Sequence, residues 1–542
     1  MQLTQQHTPA NRQQVSAQDD REHYTCIVMG AGISGMAVAI QLKRQFGLDD
    51  ILVYEKTGDI GGTWNVNRYP GAACDIPFTF YSFSFYPAYH AETTKTEWAG
   101  RTEILHYLHE VQDKFKLDNV VYRTMVTSAT FSRADGLWHL EVKDLTTGES
   151  RRRTCNVLLS CLGGLTIPNR PPFDPAKFAG PVFHSAEWPE DIDLKDKRVV
   201  IVGNGCSAAQ ILPEIYKDAK SVTQVARSRQ TFFKRIAVPD RPFLRWLMHY
   251  IPGVGRIMRA LMFLITESVW KVSDIQRGAK GRAESEKELL AHMQETTPSK
   301  YWDFLGADFD VGAKRRVFDA GYYRSLNEPN VELVADDSVE RAEGNKVFTR
   351  NGREIEADAV ILATGFRVRD YLFPMKVVNS EGESLQDRMD ATGVKTYQGT
   401  VVSSYPNFFW FLGPNTATNH SSVLFTTEAQ IALTFHMIRP VLARLSGQRG
   451  RIELIKPGPY VEVRREAEDR YYAELRKRMK GMVWENKGGV AWYVDKATGL
   501  CTALYPWTQF HFWRRCTFPN YGDFKWTNCS GPWRWRSYLG WW

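Results

Sequence analysis

At 542 residues the chain is long enough for two or three domains with full cores, and 69 Lys and Arg against 61 Asp and Glu leave a net charge of only +8, spread along its whole length. That mild basicity suits a polyphosphate ligand as well as nucleic acid or a membrane surface. The eight cysteines are scattered without a C-x-x-C pair, which argues against a zinc site or a redox-active dithiol and for reduced thiols in the cytoplasm.

Residues 1–20 are polar and Gln-rich and lack an apolar stretch, so a disordered lead-in is expected rather than a signal peptide. A first nucleotide-binding part is expected over 21–162. Its strand Tyr24–Met29 runs into Gly30-Ala31-Gly32-Ile33-Ser34-Gly35, then a helix over Met36 to Gln45 and a second strand, Ile51–Tyr54. Glu55 closes that strand twenty residues past Gly35, where a carboxylate accepts hydrogen bonds from a ribose hydroxyl. A lone G-x-G-x-x-G is weak evidence, but strand, helix, second strand and acid in register make it strong. The competing reading is a turn without a ligand and a surface Glu55.

Next comes G-G-T-W-N-V-N-R-Y-P-G-A-A-C-D, from Gly61 to Asp75. Two glycines, a Trp, a Tyr-Pro-Gly turn and an acid can lay backbone donors and an aromatic along a flat ring. A plain loop with a buried Trp64 and a solvated Asp75 is the alternative.

The second nucleotide-binding part is expected over 163–235 and again over 310–372. Strand Val199–Val202 leads to Gly203-x-Gly205-x-x-Ala208, a helix to about Tyr216 and a strand Ser221–Ala226. Here Gly203 allows the tight turn, Gly205 lets backbone approach a pyrophosphate and Ala208 packs helix on strand. Arg227 stands where Glu55 stands in the first unit, with Arg229 close by. A guanidinium pairs with a 2′-phosphate that an acid would repel, so this unit prefers NADP. Two such sites imply FAD and NADPH in one chain.

Residues 236–309 break the rhythm and read as a helical insert. Phe243–Trp270, the most apolar segment, is interrupted by Arg245, Pro252-Gly253, Arg256, Arg259 and Glu267, too often for a spanning helix. Amphipathic helices within a lid or subdomain are expected rather than membrane attachment. A strand Ala359–Ala363 ends in A-T-G-F, which returns the chain to its flavin part over 373–542. There Phe408–Asn415 reads as a buried strand and turn, and Thr416–Leu424 as pocket lining or plain loop. Arg464–Lys480 reads as a charged helix with a solvated face, before a Trp-rich tail that caps the core or lines a substrate entrance. The fold class expected is α/β, with two Rossmann-like dinucleotide-binding domains (FAD and NADP) and an inserted helical subdomain.

Phe178-x-Gly180-x-x-x-His184-x-x-x-Trp188-Pro189, set between the two glycine fingerprints, resembles the signature of type I Baeyer–Villiger monooxygenases, which are class B flavoprotein monooxygenases. Gly61–Asp75 is similar to that family's longer signature at Gly62, Trp64, Tyr69, Pro70, Gly71 and Asp75. The resemblance covers roughly residues 24 to 500, and two long motifs in order are highly specific. It implies that NADPH reduces FAD, O2 adds to the flavin as a C4a-peroxide, and the peroxide attacks a ketone carbonyl to give an ester or lactone. Sulfides are a second substrate class, and NADP+ stays bound throughout.

The family places its catalytic arginine in a G-x-K-R segment, here Gly312–Arg316, which makes Arg315 the candidate and Arg316 its rival. Arginine suits the role because it stays protonated and presents a planar fork of donors. Asp75 is the carboxylate expected to orient it, and Lys314 is expected to reach the 2′-phosphate beside Arg227. The FAD-binding candidates are Gly30, Gly32, Ser34, Gly35, Glu55, Lys56, Gly62, Thr63, Trp64, Asp75, Tyr81 and Val126. Those for NADP are Tyr69, Gly203, Asn204, Gly205, Cys206, Ser207, Ala208, Gln210, Arg227, Ser228, Lys314 and Trp492, the last on a loop that closes over NADP+ in relatives. Phe178, Gly180, His184, Trp188 and Pro189 are expected to couple cofactor binding to domain motion, with His184 at a hinge rather than catalytic.

Two departures stand out. Ala73 replaces an arginine that many relatives carry, and Ser228-Arg229 replaces Thr-Pro. Three other readings stay open: an N- or S-oxygenating flavin monooxygenase, a disulfide reductase that the absent C-x-x-C opposes, and a non-catalytic electron-transfer or sensor flavoprotein. The partners expected are a small ketone or sulfide, with no nucleic acid, no integral membrane segment, no metal and a monomeric or weakly oligomeric state.

Overall fold

The structure, a computed structural model, describes residues 21–92, 98–235, 242–368, 370–447, 457–488, 491–495 and 497–532. The lead-in 1–20, the start of the insert at 236–241, residues 489–490 and the end of the Trp-rich tail at 533–542 lie outside the described residues.

Alternating apolar runs and glycine turns build the two largest sheets. In the first, His23–Met29 pairs in parallel with Ile51–Tyr54, Met29 opposite Tyr54, and on its other side in parallel with Ser150–Ser160. Ile51–Tyr54 is buried at all four positions, as a strand covered on both faces must be. The hairpins Thr124–Ser132, Leu137–Asp144 and Ser150–Ser160 extend the sheet antiparallel. The late strands Lys376–Val378 and Phe408–Trp410 join it in parallel, on Thr124–Ser132 and Ser150–Ser160 respectively. The second sheet is parallel throughout, in the order Val331–Ala335, Ser221–Ala226, Arg198–Val202, Ala359–Leu362, Val182–His184.

Val182–His184 lies in a stretch that the sequence presents as a connection, yet it forms the edge strand of the second sheet, with His184 opposite Leu362. Gly180 precedes it because a Cβ there would stand 2.1 Å from the Asp358 carbonyl oxygen. The chain crosses between the sheets twice, side by side. Asn169 N–H donates to the Gly365 carbonyl at 2.9 Å, and Arg367 N–H to that of Ile167 at 2.8 Å. The His184 ring bonds the same Gly365 carbonyl through Nε2 at 3.0 Å.

Between the sheets' segments stand the helices Pro242–Tyr250, Val254–Val269 and Ala279–Thr296. Among the described residues no helix is long and apolar enough to cross a membrane. The charged helix Arg465–Met479 differs from its expected solvated form, because Ala467, Tyr471, Leu475 and Met479 make one buried stripe. Glu468 is fully buried on that helix, 2.5 Å from Arg388, and accepts from Ser403 N–H and Oγ. In the described part of the tail, Phe524–Thr527 pairs antiparallel with Tyr460–Val463, and Trp526 donates to the Met437 carbonyl, so these aromatics cap the core.

Candidate active site

Each glycine turn sits where its strand meets its helix. Gly30 has φ +96°, and a Cβ there would lie 2.7 Å from the Cys161 carbonyl, so only glycine fits. Gly203 repeats this in the second sheet at φ +126°, with a Cβ 2.3 Å from the Ala363 carbonyl. Gly205 is different: a Cβ there meets nothing within 4 Å, so packing does not demand glycine and the space before the turn is open. Open space ahead of the N-terminus of the helix Cys206–Ile215 is what a diphosphate needs. Gly62 faces Gly32, and a Cβ on it would stand 3.0 Å from the Gly32 Cα, so the Gly61–Asp75 segment lies against the first turn.

Glu55 is buried and already braces that turn. Its Oε2 accepts from Ala31 N–H at 2.8 Å, and its Oε1 accepts from Thr57 N–H and Oγ1. Ser34 turns its hydroxyl to Thr427 at 3.0 Å, while Lys56 and Thr63 are exposed and Val126 is buried in its strand. Trp64 is buried and donates through Nε1 to the Tyr81 hydroxyl at 3.1 Å. Burial holds that hydroxyl well above the usual phenol range.

Tyr69 and Asp75 reach from this segment toward the second sheet. Tyr69 donates to Gln210 Oε1 at 2.9 Å, and Gln210 Nε2 donates back to the Ala73 carbonyl at 3.1 Å. Gly71 makes this approach possible, since a Cβ on it would stand 2.4 Å from the Gln210 carbonyl. Asp75 Oδ2 then lies 3.6 Å from a guanidinium nitrogen of Arg315. Burial raises the Asp75 carboxyl above the usual range, and the nearby Arg315 and Arg235 offset this only in part. For Arg315, the desolvation that would favour its neutral form is outweighed by Asp75 together with Cys206, Cys74 and Tyr81, so it stays a cation. Arg316, the rival in the basic run, instead lies over the Phe233 ring at 5.9 Å. Cys206, at the first turn of the second fingerprint's helix, is close enough to feel both members of the pair, and burial pushes its thiol up to about 11.

The remaining candidates cluster around the second turn. Asn204 donates to the Ser228 carbonyl and is braced from behind by Gln224 and Tyr322. Ala208 is fully buried, and Ser207 lies against the Tyr69 hydroxyl. Arg227 is exposed and has no hydrogen-bond or ion-pair partner among the described residues. Lys314 is buried with its ammonium on the Arg229 carbonyl, and burial pushes its pKa down to about 8. Trp492 remains 46% exposed, edge-on to the buried Tyr493. Of the fingerprint residues, Phe178 and His184 are buried, and Trp188-Pro189 line an open cleft of about 830 Å³ that also takes in Arg68, Glu214 and Ile215.

Four side chains that sequence reasoning missed hold the backbone around Arg315. Asn419 Nδ2 and Trp484 Nε1 both donate to the Gly312 carbonyl at 3.1 Å, and the Tyr493 hydroxyl donates to that of Ala313. Gln230 Nε2 donates to the Arg315 carbonyl at 3.1 Å. Each bond fixes a peptide plane of the segment that carries Arg315.

Residues 24–251 match the family model of flavin-binding monooxygenase-like proteins. The chain is 30% identical over 514 residues to a Baeyer–Villiger monooxygenase of Pseudomonas aeruginosa, covering 90% of this chain and 89% of that one. It is 31% identical over 508 residues to a Baeyer–Villiger monooxygenase of Streptomyces coelicolor, covering 91% of each. Among solved structures, the fold resembles a closed cyclohexanone monooxygenase with a TM-score of 0.78 at 22% identity, covering 93% of this chain and 99% of that one. An oxidised steroid monooxygenase bound to NADP gives a TM-score of 0.76 at 24% identity over 93% and 99%.

Proposed function

From the chain's membership of the Baeyer–Villiger monooxygenase family, we propose that it is an FAD- and NADPH-dependent monooxygenase that places one oxygen atom beside a ketone carbonyl, giving an ester or lactone. The observation that carries this reading is the Arg315–Asp75 pair, at 3.6 Å and next to the first turn of the second fingerprint's helix. It sets a permanent cation where two nucleotide cradles meet.

The residues fit the two cofactors. Gly30, Gly32, Gly35 and Gly62 would hold FAD, with Glu55 steadying the turn from behind. The open space at Gly205 suits the diphosphate of NADPH, and Arg227 and Lys314 would hold its 2′-phosphate. FAD held at the first turn and reduced by NADPH would supply the electrons that activate O2 for transfer of one oxygen atom. Arg315 stabilises the negative charge that develops on the reacting oxygens, since preorganised charge counts most there. Asp75 aims Arg315, and Asn419, Trp484, Tyr493 and Gln230 hold its backbone. His184 ties the edge strand Val182–His184 to the crossing at Gly365, where a hinge would lie.

The same proposal divides the chain into a FAD-binding domain over 21–162 and 373–542 and an NADP-binding domain over 163–235 and 310–372, with the helical insert 236–309. It gives the chain a small ketone or sulfide substrate, a monomeric or weakly associating state and a cytoplasmic location. The eight free cysteines support that location.

Purified protein loaded with FAD is to be given NADPH and a panel of cyclic, linear and aromatic ketones. Ester or lactone formed with NADPH consumption is the expected result. Peroxide alone across the whole panel would overturn it, and sulfoxide or N-oxide alone would favour the heteroatom-oxygenating relatives. Equal use of NADH would remove the role given to Arg227 and Lys314.

A further inference from the structure

The helices Pro242–Tyr250 and Val254–Val269 carry their apolar residues on the outside. Phe243, Trp246, Tyr250, Ile257, Leu264 and Ile265 each expose between 50 and 71% of their surface. Positions 243, 246 and 250 lie on one face of the first helix, and 257, 261, 264 and 265 on one face of the second. Soluble surfaces rarely keep so many large apolar side chains together.

This outward setting is fixed by what the inner faces do. Arg259 donates to the Thr79 carbonyl at 2.6 Å and to Ser82 Oγ and O at 3.0 Å. Phe263 stacks on Phe425 at 4.8 Å, and Glu267 accepts from His420 and from the backbone N–H groups of Gln509 and Phe510. His249 bonds the Tyr89 carbonyl at 2.9 Å. The pair is therefore docked on the protein by one face while the apolar stripe is held away from it.

We propose that this outer face docks on the surface of an anionic lipid bilayer. The charge pattern selects that occupant: from Pro242 to Thr266 there is no Asp or Glu, while Arg245 and Arg256 flank the stripe. Phe243 stacks on Trp246 and Trp246 meets Tyr250 at 5.5 Å, so one aromatic row carries the amphipathic rings that favour the headgroup region. A second copy seated face to face would oppose arginine to arginine with no acid between them. The second helix has 16 residues, about 24 Å at 1.5 Å per residue, shorter than the apolar core of a bilayer, so the pair lies in the interface rather than spanning it. Docking stands apart from the oxygenation reading and adds to it a supply of lipid-dissolved substrate.

The full chain is to be sedimented with vesicles of phosphatidylcholine, with and without phosphatidylglycerol, at low and high salt. The protein is expected to follow the phosphatidylglycerol vesicles and to bind less at high salt. Leu264→Glu with Ile265→Glu leaves the inner anchors in place and should weaken partitioning about tenfold or more at an unchanged melting temperature. Arg245→Glu with Arg256→Glu should remove the preference for phosphatidylglycerol. Wild-type protein that stays in the supernatant with both vesicle types would overturn the proposal. So would a wild-type dimer that Leu264→Glu with Ile265→Glu converts to monomer, because a second copy would then cover the face.

Discussion

Asp75 stands 3.6 Å from Arg315, and burial raises its carboxyl pKa. A carboxyl raised in this way contributes stability below its unfolded pKa and loses it as pH rises through the folded value, so ionised Asp75 costs stability at neutral pH. Asp75→Asn is predicted to lower ester formation about a hundredfold, because Arg315 loses its aim. Arg315→Ala is predicted to keep NADPH-driven bleaching of the flavin under anaerobic conditions and to lose ester formation about 10²- to 10³-fold. Arg316→Ala, which removes a side chain lying over Phe233, should retain most of it. Lys314 gives a pH signature: its ammonium is lost as pH rises through about 8, so kcat/KM for NADPH should fall across that pH and Lys314→Met should abolish the step. Asp75 and Arg315 were legible in the sequence because each stands in a motif of fixed spacing. Asn419, Trp484 and Tyr493 were not, since side chains bonding carbonyls more than a hundred residues away leave no periodicity.

The helix Arg465–Met479 shows what charge can conceal at the scale of an element. Its Arg, Glu and Lys residues suggest a solvated face, yet positions 467, 471, 475 and 479 repeat every four residues and form the buried stripe. Glu468 sits beside that stripe with Arg388 and two Ser403 donors, satisfied on both oxygens. Breaking such a buried pair leaves an uncompensated charge, so Glu468→Gln is predicted to cost about 3–5 kcal/mol and lower the melting temperature. The edge strand Val182–His184 escaped sequence reading for another reason. Three residues hold too little of a period-two pattern to identify a strand, and what defines this one is its parallel partner Ala359–Leu362.

At the scale of the whole molecule, two glycine fingerprints announced two sheets because each strand-turn-helix unit is locally encoded. How the sheets meet was not legible, since it rests on close approaches such as Gly71 to Gln210. The two crossings between the sheets are bonded to each other through Asn169, Gly365, Arg367 and Ile167, and His184 bonds the Gly365 carbonyl beside them. His184→Ala is predicted to raise the share of NADPH consumption that ends as hydrogen peroxide, read as the peroxide-to-ester ratio at saturating ketone. The central claim is that oxygen from O2 enters a ketone-derived product through the site at Arg315. Mass spectrometry of product formed under isotopically labelled O2, with NADPH and a ketone, tests it most directly. The account predicts one labelled oxygen atom in the ester from wild-type protein and ester lowered about a hundredfold or more from Arg315→Ala; ester that carries no label, or peroxide alone from wild-type protein, would contradict it.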